Sequence, residues 1–223
     1  MKFGIISKVV RWAAALFFGS TILAVVAYRF LPVYVTPLMV IRCVQQVGEG
    51  KSITLHHNWK SLDEISCHLP VAVMASEDQR FLIHHGFDFG AIQKAARNNA
   101  RGAGRKLGAS TISQQTAKNV SLRPGRSRTR KGREAYFTAL IEMLWSKQRI
   151  MEVYLNSIEM GDGIYGAEAV AKYHFGKAAS ELTRSECALV AATLPNPRKF
   201  DSSNPSAYMR ARRGSIEYQM KFI

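Results

Sequence analysis

The sequence predicts a mainly α-helical domain behind one N-terminal transmembrane helix, and three observations carry that expectation. Residues 12–28 read WAAALFFGSTILAVVAY without a charge. Helix-start signals and apolar residues at three- and four-residue spacing recur through the rest of the chain, and strand-like alternation is scarce. With 223 residues and 47% apolar side chains, the chain can bury the core of one domain besides an anchor.

The uncharged run from Trp12 to Tyr28 is short for a span, since roughly 20 residues cross a hydrocarbon core. Arg11 and Arg29 can snorkel from its ends, and Trp12 and Tyr28 suit the interfaces. A cleaved signal peptide would need a small-residue cleavage site. Val26-Ala27-Tyr28 ahead of Arg29 is a poor one. Lys2, Lys8 and Arg11 precede the run, and Arg29 follows it closely. That bias places the N-terminus in the cytoplasm and the remainder outside. The expected organisation is a tail over 1–11, an anchor over 12–29, a membrane-proximal segment over 30–43 and one domain over 44–223. Phe30 to Ile41 is apolar but interrupted by Pro32 and Pro37. It is expected to skim the bilayer as a hydrophobic lip, or to join the core, rather than to span.

Within the domain, Ser61-Leu-Asp-Glu64 and Thr183-Arg-Ser-Glu186 have the form of capping boxes, each ahead of an apolar run. Pro70 suits the first position of a helix through Met74, and Asp88 the cap of a helix carrying Ile92, Ala95 and Ala96. The longest amphipathic signal runs from Glu134 to Asn156, with Phe137, Leu140, Ile141, Leu144, Trp145, Ile150, Val153 and Tyr154 on one stripe. Lys51 to Trp59 is the one modest strand candidate.

Charge narrows the chemistry. Thirty-one Lys and Arg against 16 Asp and Glu leave a net charge of +15. The 45 positions between Asp88 and Glu134 hold 12 cations and no acid. Balanced solvated helices mix signs, so a one-sign block points to an anionic partner. Carboxylates bound the block, Glu77-Asp78 before it and Glu134 after it. Glycosyl transfer to a hydroxyl needs a base for the proton and cations for an anionic leaving group. Cys43, Cys67 and Cys187 are widely spaced and odd in number, and read as small apolar residues.

Five stretches resemble, in order, the motifs of the peptidoglycan glycosyltransferases, the family-51 glycosyltransferases. Glu77-Asp-Gln-Arg-Phe81 through His85-Gly-Phe-Asp88 is similar to the first, and Gly108-Ala-Ser-Thr-Ile-Ser-Gln-Gln115 with Lys118-Asn119 to the second. Arg130-Lys-Gly-Arg-Glu134 resembles the third, Lys147 to Asn156 the fourth and Gly161-Asp-Gly-Ile-Tyr-Gly166 the fifth. No SxxK or KTG motif of a transpeptidase occurs, so the resemblance is to the monofunctional branch. It implies a lysozyme-like helical domain, lipid II as acceptor, and a growing glycan on undecaprenyl pyrophosphate as donor. It further implies a β-1,4 linkage formed with inversion. By position, Glu77 matches the family's proposed general base and Glu134 its second glutamate. Lys118 and Arg126 fall where pyrophosphate contacts are expected, and Arg80, Ser110, Gln115, Arg130 and Lys131 line the same cleft. Two roles stay open in the sequence: Arg80 either contacts substrate or orients Glu77, and Lys131 either contacts substrate or pairs with Glu134.

Other readings fare worse. A lytic enzyme of the same fold leaves the cationic block unexplained. A membrane-tethered nucleic-acid binder lacks aromatics for base stacking anywhere from Ala91 to Arg133. The GDGIYG match to a dinucleotide fingerprint follows a predicted helix and lacks a preceding strand. No cofactor is expected to be required, although a pyrophosphate can recruit a divalent cation such as Mg²⁺. Expected partners are lipid II, the growing glycan and the membrane, with cell-wall synthesis or division proteins as candidates and no nucleic acid. The expected location is the bacterial inner membrane, with the domain on the periplasmic side.

Overall fold

The computed structural model describes residues 2–102, 108–121 and 127–223. Of the basic block, Arg105, Lys106, Arg123 and Arg126 lie outside the described residues.

Helix α1 runs Lys2–Tyr28, and its Ile5–Tyr28 stretch of 24 residues is long and apolar enough to cross a membrane. That length is about 36 Å of helix, so no snorkelling is needed to make up a deficit. The helix starts well before Trp12 because Ile5, Ile6, Val9 and Val10 continue its exposed apolar surface around Lys8 and Arg11. Its last turns are fastened to the domain. Thr21 Oγ1 lies 2.8 Å from the Tyr136 hydroxyl, Trp145 Nε1 donates to Val25 O at 2.8 Å, and Arg149 Nη2 donates to Tyr28 O at 2.9 Å.

Pro37 opens a helix rather than breaking one. Helix α2, Pro37–Gly48, starts at that proline, and Thr36 caps it by accepting from Met39 N at 3.3 Å. Val33 and Met39 are buried, whereas Tyr34, Val35, Val40, Val44 and Val47 are exposed. The membrane-proximal segment is thus partly core and partly an apolar outer face.

The remaining helices are α3 (His68–Glu77), α4 (Phe89–Ala100), α5 (Ile112–Ser121), α6 (Arg128–Leu144), α7 (Lys147–Ser157), α8 (Ala167–Val170), α9 (Arg184–Thr193) and α10 (Ala207–Gln219). The expected helix over Glu134–Asn156 is two, because Trp145 turns extended and the Ser146 hydroxyl caps α7 through Arg149 N at 3.1 Å. Its apolar stripe survives the break, since both halves face the same core. Pro70 is the third residue of α3, not the first. Asp88 caps α4 and Thr183 caps α9, whereas the Ser61–Glu64 box closes a 3₁₀ turn. Cys67 is exposed and Cys187 is buried, its thiol pushed up to about 12 by that burial.

A small sheet takes the order β1-β3-β2, with β1 His56–His57, β2 Glu159–Gly161 and β3 Ile164–Tyr165. β1 is parallel to β3 and β2 antiparallel to it. The GDGIYG glycines serve this hairpin: Gly166 has φ +84°, and a Cβ there would meet Asn156 O at 2.7 Å. The core gathers α3, α5, α7 and α9, with Leu69, Val73, Ile112, Ile150, Tyr154 and Val190 almost fully buried. Ala188, Ala191 and Ala192 of α9 allow α3 and α10 to approach closely.

One buried carboxylate ties these parts together. Asp78, 7% exposed, caps the end of α3 and accepts from His84 Nε2 at 2.9 Å and from Ile112 N at 3.0 Å. His84 Nδ1 accepts from Gly86 N at 3.1 Å, leaving the Nε2 proton for Asp78. Thr111 and Gln114 add a reciprocal capping box at the same helix start, at 3.1 Å each way. Asp78→Ala should leave a buried imidazole and a helix N-terminus unpaired, at a cost of about 3 kcal/mol. The thermal midpoint should fall by roughly 6–12 °C. An unchanged midpoint would deny the carboxylate this role.

Candidate active site

Glu77 is the last residue of α3, one position before the carboxylate that fastens that helix end. Its side chain is half-buried, with Oε2 accepting from Gln115 Nε2 at 3.1 Å and Oε1 from Ser76 Oγ at 3.4 Å. Gln115 is itself held from behind: its Oε1 accepts from the Tyr154 hydroxyl at 3.3 Å. Burial, with the Glu77 and Asp78 charges, pushes the Tyr154 phenol well above its ordinary range, so it stays a donor. A chain of contacts thus runs from the core helix α7 through α5 to the Glu77 carboxylate.

Glu77 opens on a cleft of about 530 Å³ between α3, α4, the loop before α5, and α10. Arg80 and Ser110 line it, as do Lys94 and Arg212. Arg80 does not orient Glu77; its Nη1 pairs with Asp88 Oδ1 at 3.1 Å while over half of its side chain stays exposed. Asp88 also caps α4, so one carboxylate places that helix and this guanidinium together.

A second cluster surrounds Glu134, which is 3% exposed on α6. Arg130 Nη1 donates to its Oε2 at 2.9 Å, and Lys131 Nζ pairs with its Oε1. Lys131 therefore is Glu134's partner, yet half of its side chain remains in solvent. Arg130 Nε is buried without a partner among the described residues. Lys118 of α5 stands beside this group. Its ammonium titrates below the usual lysine range, first through desolvation, against the pull of Glu134 and with added repulsion from Arg130 and Lys131. The side chain still reaches solvent, so the cation is crowded rather than enclosed.

The two clusters meet on α5. Gln115 and Lys118, three residues apart, share one face of that helix, while Ile112, Thr116 and Ala117 are buried. The cleft around Glu77 is lined by Arg80 and Ser110 but not by Glu134, Arg130, Lys131 or Lys118. Arg126 lies outside the described residues. Sequence reasoning named Asp78 only as a carboxylate bounding the basic block and Tyr154 only as part of an apolar stripe, and gave neither a place in the site. It also passed over Glu142, whose Oε1 accepts from Lys147 Nζ at 2.8 Å and from Ser113 Oγ, joining α6, α7 and α5. Lys147 also reaches His84 O at 2.6 Å and lies 4.6 Å from the centre of the Phe81 ring. Nothing in the sequence pattern pointed to Arg212, which α10 brings within 3.1 Å of Ser76 Oγ.

This arrangement offers a fixed carboxylate on a cleft and, along one helix, a crowded set of cations suited to a multiply charged anion. Comparison with known proteins adds a family match. Residues 45–221 match the family described as Transglycosylase. A biosynthetic peptidoglycan transglycosylase of Bacteroides thetaiotaomicron is 60% identical over 221 residues, covering 98% of this chain and 89% of that protein. Relatives of the same name from Xanthomonas campestris and Pseudomonas fluorescens are 51% and 52% identical, covering 95% and 96% of this chain and 87% of each relative.

The lowered pKa of Lys118 carries a pH signature. Its protonated form binds anions and its neutral form does not, so affinity for inorganic pyrophosphate should fall as pH rises through a value below 10.5. Lys118→Arg should move that loss to higher pH, since arginine stays charged. Titration of pyrophosphate binding with pH checks this; an identical alkaline limb in both proteins would remove Lys118 from the anion site.

Proposed function

The chain belongs to the transglycosylase family and is a peptidoglycan glycosyltransferase that polymerises glycan strands; from that premise we propose how its residues divide the chemistry. The donor is a glycan on undecaprenyl pyrophosphate and the acceptor is lipid II. Glu77 takes the proton from the acceptor's 4-hydroxyl, and that oxygen attacks the donor's anomeric carbon. The bond from that carbon to the pyrophosphate breaks with inversion, and the electron pair leaves on the pyrophosphate oxygen. Lys118, Arg130 and Lys131 neutralise the departing charge, with Arg126 assigned to the same task by its motif position. Glu134 holds Arg130 and Lys131 at fixed spacing, and Arg80 and Ser110 position sugar or phosphate in the cleft.

The observation that carries this division is α5. It presents Gln115 to Glu77 and, one turn later, Lys118 to the cations around Glu134. Because α5 meets both the base at the end of α3 and the cations of α6, it keeps the two in fixed relative positions through the reaction. No resident cofactor is assigned. Among the described residues no three His, Cys, Asp or Glu side chains converge as metal ligands. A divalent cation such as Mg²⁺ would enter with the substrate pyrophosphate. Helix α1 supplies a single-pass anchor, with the N-terminus in the cytoplasm and the domain on the periplasmic face of the inner membrane, following the basic residues before the span.

Glu77→Gln should fold as the parent does and lose roughly 10²- to 10⁴-fold in lipid II polymerisation. Near-parental turnover by the folded variant would take the base role from Glu77.

A second comparison separates a cradle from diffuse charge. Lys118→Ala should slow turnover by about 10- to 1000-fold. Arg97→Ala, exposed on α4, should cost well under ~1 kcal/mol and that loss should fade with salt. Initial rates at low and high ionic strength decide it; equal, salt-erased losses would leave the block as membrane attraction alone.

A further inference from the structure

Behind α5, on the side away from Gln115 and Lys118, lies an apolar cavity of about 290 Å³ that the catalytic scheme does not use. Ala24 and Val25 of α1 form one wall, Ala117 and Val120 of α5 a second, and Phe137 and Ile141 of α6 a third. Its origin is geometric. The Tyr136–Thr21 and Trp145–Val25 contacts clamp α1 against α6, so α1 cannot settle onto the small residues of α5. An apolar cavity of about 150 Å³ holds a benzene molecule, so this one has room for roughly a dozen carbons.

We propose that this crease seats the first isoprene units of the donor's polyprenyl chain while its pyrophosphate lies at Lys118. This rests on the reading above, in which α1 crosses the bilayer and the substrate is lipid-linked. One wall is the outer end of the membrane helix: Ser20 to Tyr28 covers about 12 Å of helix, so the crease stands at the depth of lipid chains. Small side chains at Ser20, Ala24 and Ala117 leave space for methyl branches. Ser121, on the cavity wall, is one turn of α5 beyond Lys118, about 5 Å along the axis. A donor with its chain on one face of α5 and its pyrophosphate on the other is thereby held by two parts of its leaving group. Lipid recognition would then be built into the joint between anchor and domain.

The test uses the full chain in nanodiscs, with Ala24→Phe and the milder Ala24→Leu filling the cavity from the membrane helix. Leu23→Phe, on an exposed position of the same helix, is the control. Rates are measured with lipid II carrying an undecaprenyl chain and with a short-chain analogue ending in a single five-carbon prenyl group, too short to fill the crease. The ratio of kcat/KM, long chain over short, should fall about tenfold in Ala24→Phe and less in Ala24→Leu, a tenfold change being ~1.4 kcal/mol. Leu23→Phe should keep the parental ratio. A parental ratio in both Ala24 variants, or the same fall in Leu23→Phe, would overturn the proposal. Photolabelling with diazirine-bearing probes separates the lipid sources. Labelling of α1 and α5 by polyprenyl pyrophosphate, lost in Ala24→Phe, supports the substrate chain. Labelling by a phospholipid that polyprenyl pyrophosphate does not displace overturns it in favour of a structural lipid. Failure of the unaltered chain to polymerise either lipid would instead overturn the functional reading beneath it.

Discussion

The buried Asp78 carboxylate is the constraint on which the site depends. It receives the imidazole of His84 and the first free N–H of α5, two groups that would otherwise be unpaired in the interior. A carboxylate at a helix N-terminus is also favoured by the aligned peptide dipoles. Because Asp78 adjoins Glu77, the bond that orients α5 also sets the direction of the carboxylate assigned as base. The order of the two acids matters: one faces inward to hold the helices, and its neighbour faces the cleft.

From that fixed origin α5 divides the molecule into two environments. One face packs into the core and toward the anchor, and the other carries Gln115 and Lys118. On the site face, Glu134 is enclosed but not isolated, since each of its oxygens meets a cation. A buried carboxylate in such company is a fastening for Arg130 and Lys131 as much as a reagent. Lys118 sits beside them with its pKa lowered by desolvation and by its two cationic neighbours. A bound pyrophosphate would offset that crowding, so the cluster is suited to an anion it does not itself contain.

The anchor is part of the same architecture. Trp145 breaks the long amphipathic stripe into α6 and α7, and its indole then reaches the α1 backbone at Val25. Arg149, in the first turn of α7, holds the end of α1 at Tyr28. The exposed apolar face of α2 at Val40, Val44 and Val47 comes directly after it in the chain. Membrane helix, apolar collar and catalytic cleft are consequently held in one relative position, as a substrate with its chain in lipid and its sugars in water requires.

Local and periodic features were legible in the amino-acid sequence: the helical class, the anchor, the capped starts of α4 and α9 and the motifs that carry the candidate site residues. Asp88 caps the helix that starts at the next residue, an apolar run needs no partner to be apolar, and five motifs keep their order along the chain. Three positions were misjudged, two on local grounds and one because a distant neighbour decides. The start of α1 moved because Ile5 to Val10 extend the span around two cations, and the helix after Glu134 broke because Trp145 had a backbone oxygen to meet. Pro37 read as an interruption, whereas with Thr36 as its cap it opens α2. Packing in three dimensions was needed to show that Asp78 is a fastening and Glu77 is not, that Arg80 belongs to Asp88, and that Tyr154 and Arg212 stand behind the site. A hydrogen bond of 3.0 Å between residues 34 apart, such as Ile112 N to Asp78, leaves no trace in composition or spacing, because it is fixed by how helices pack.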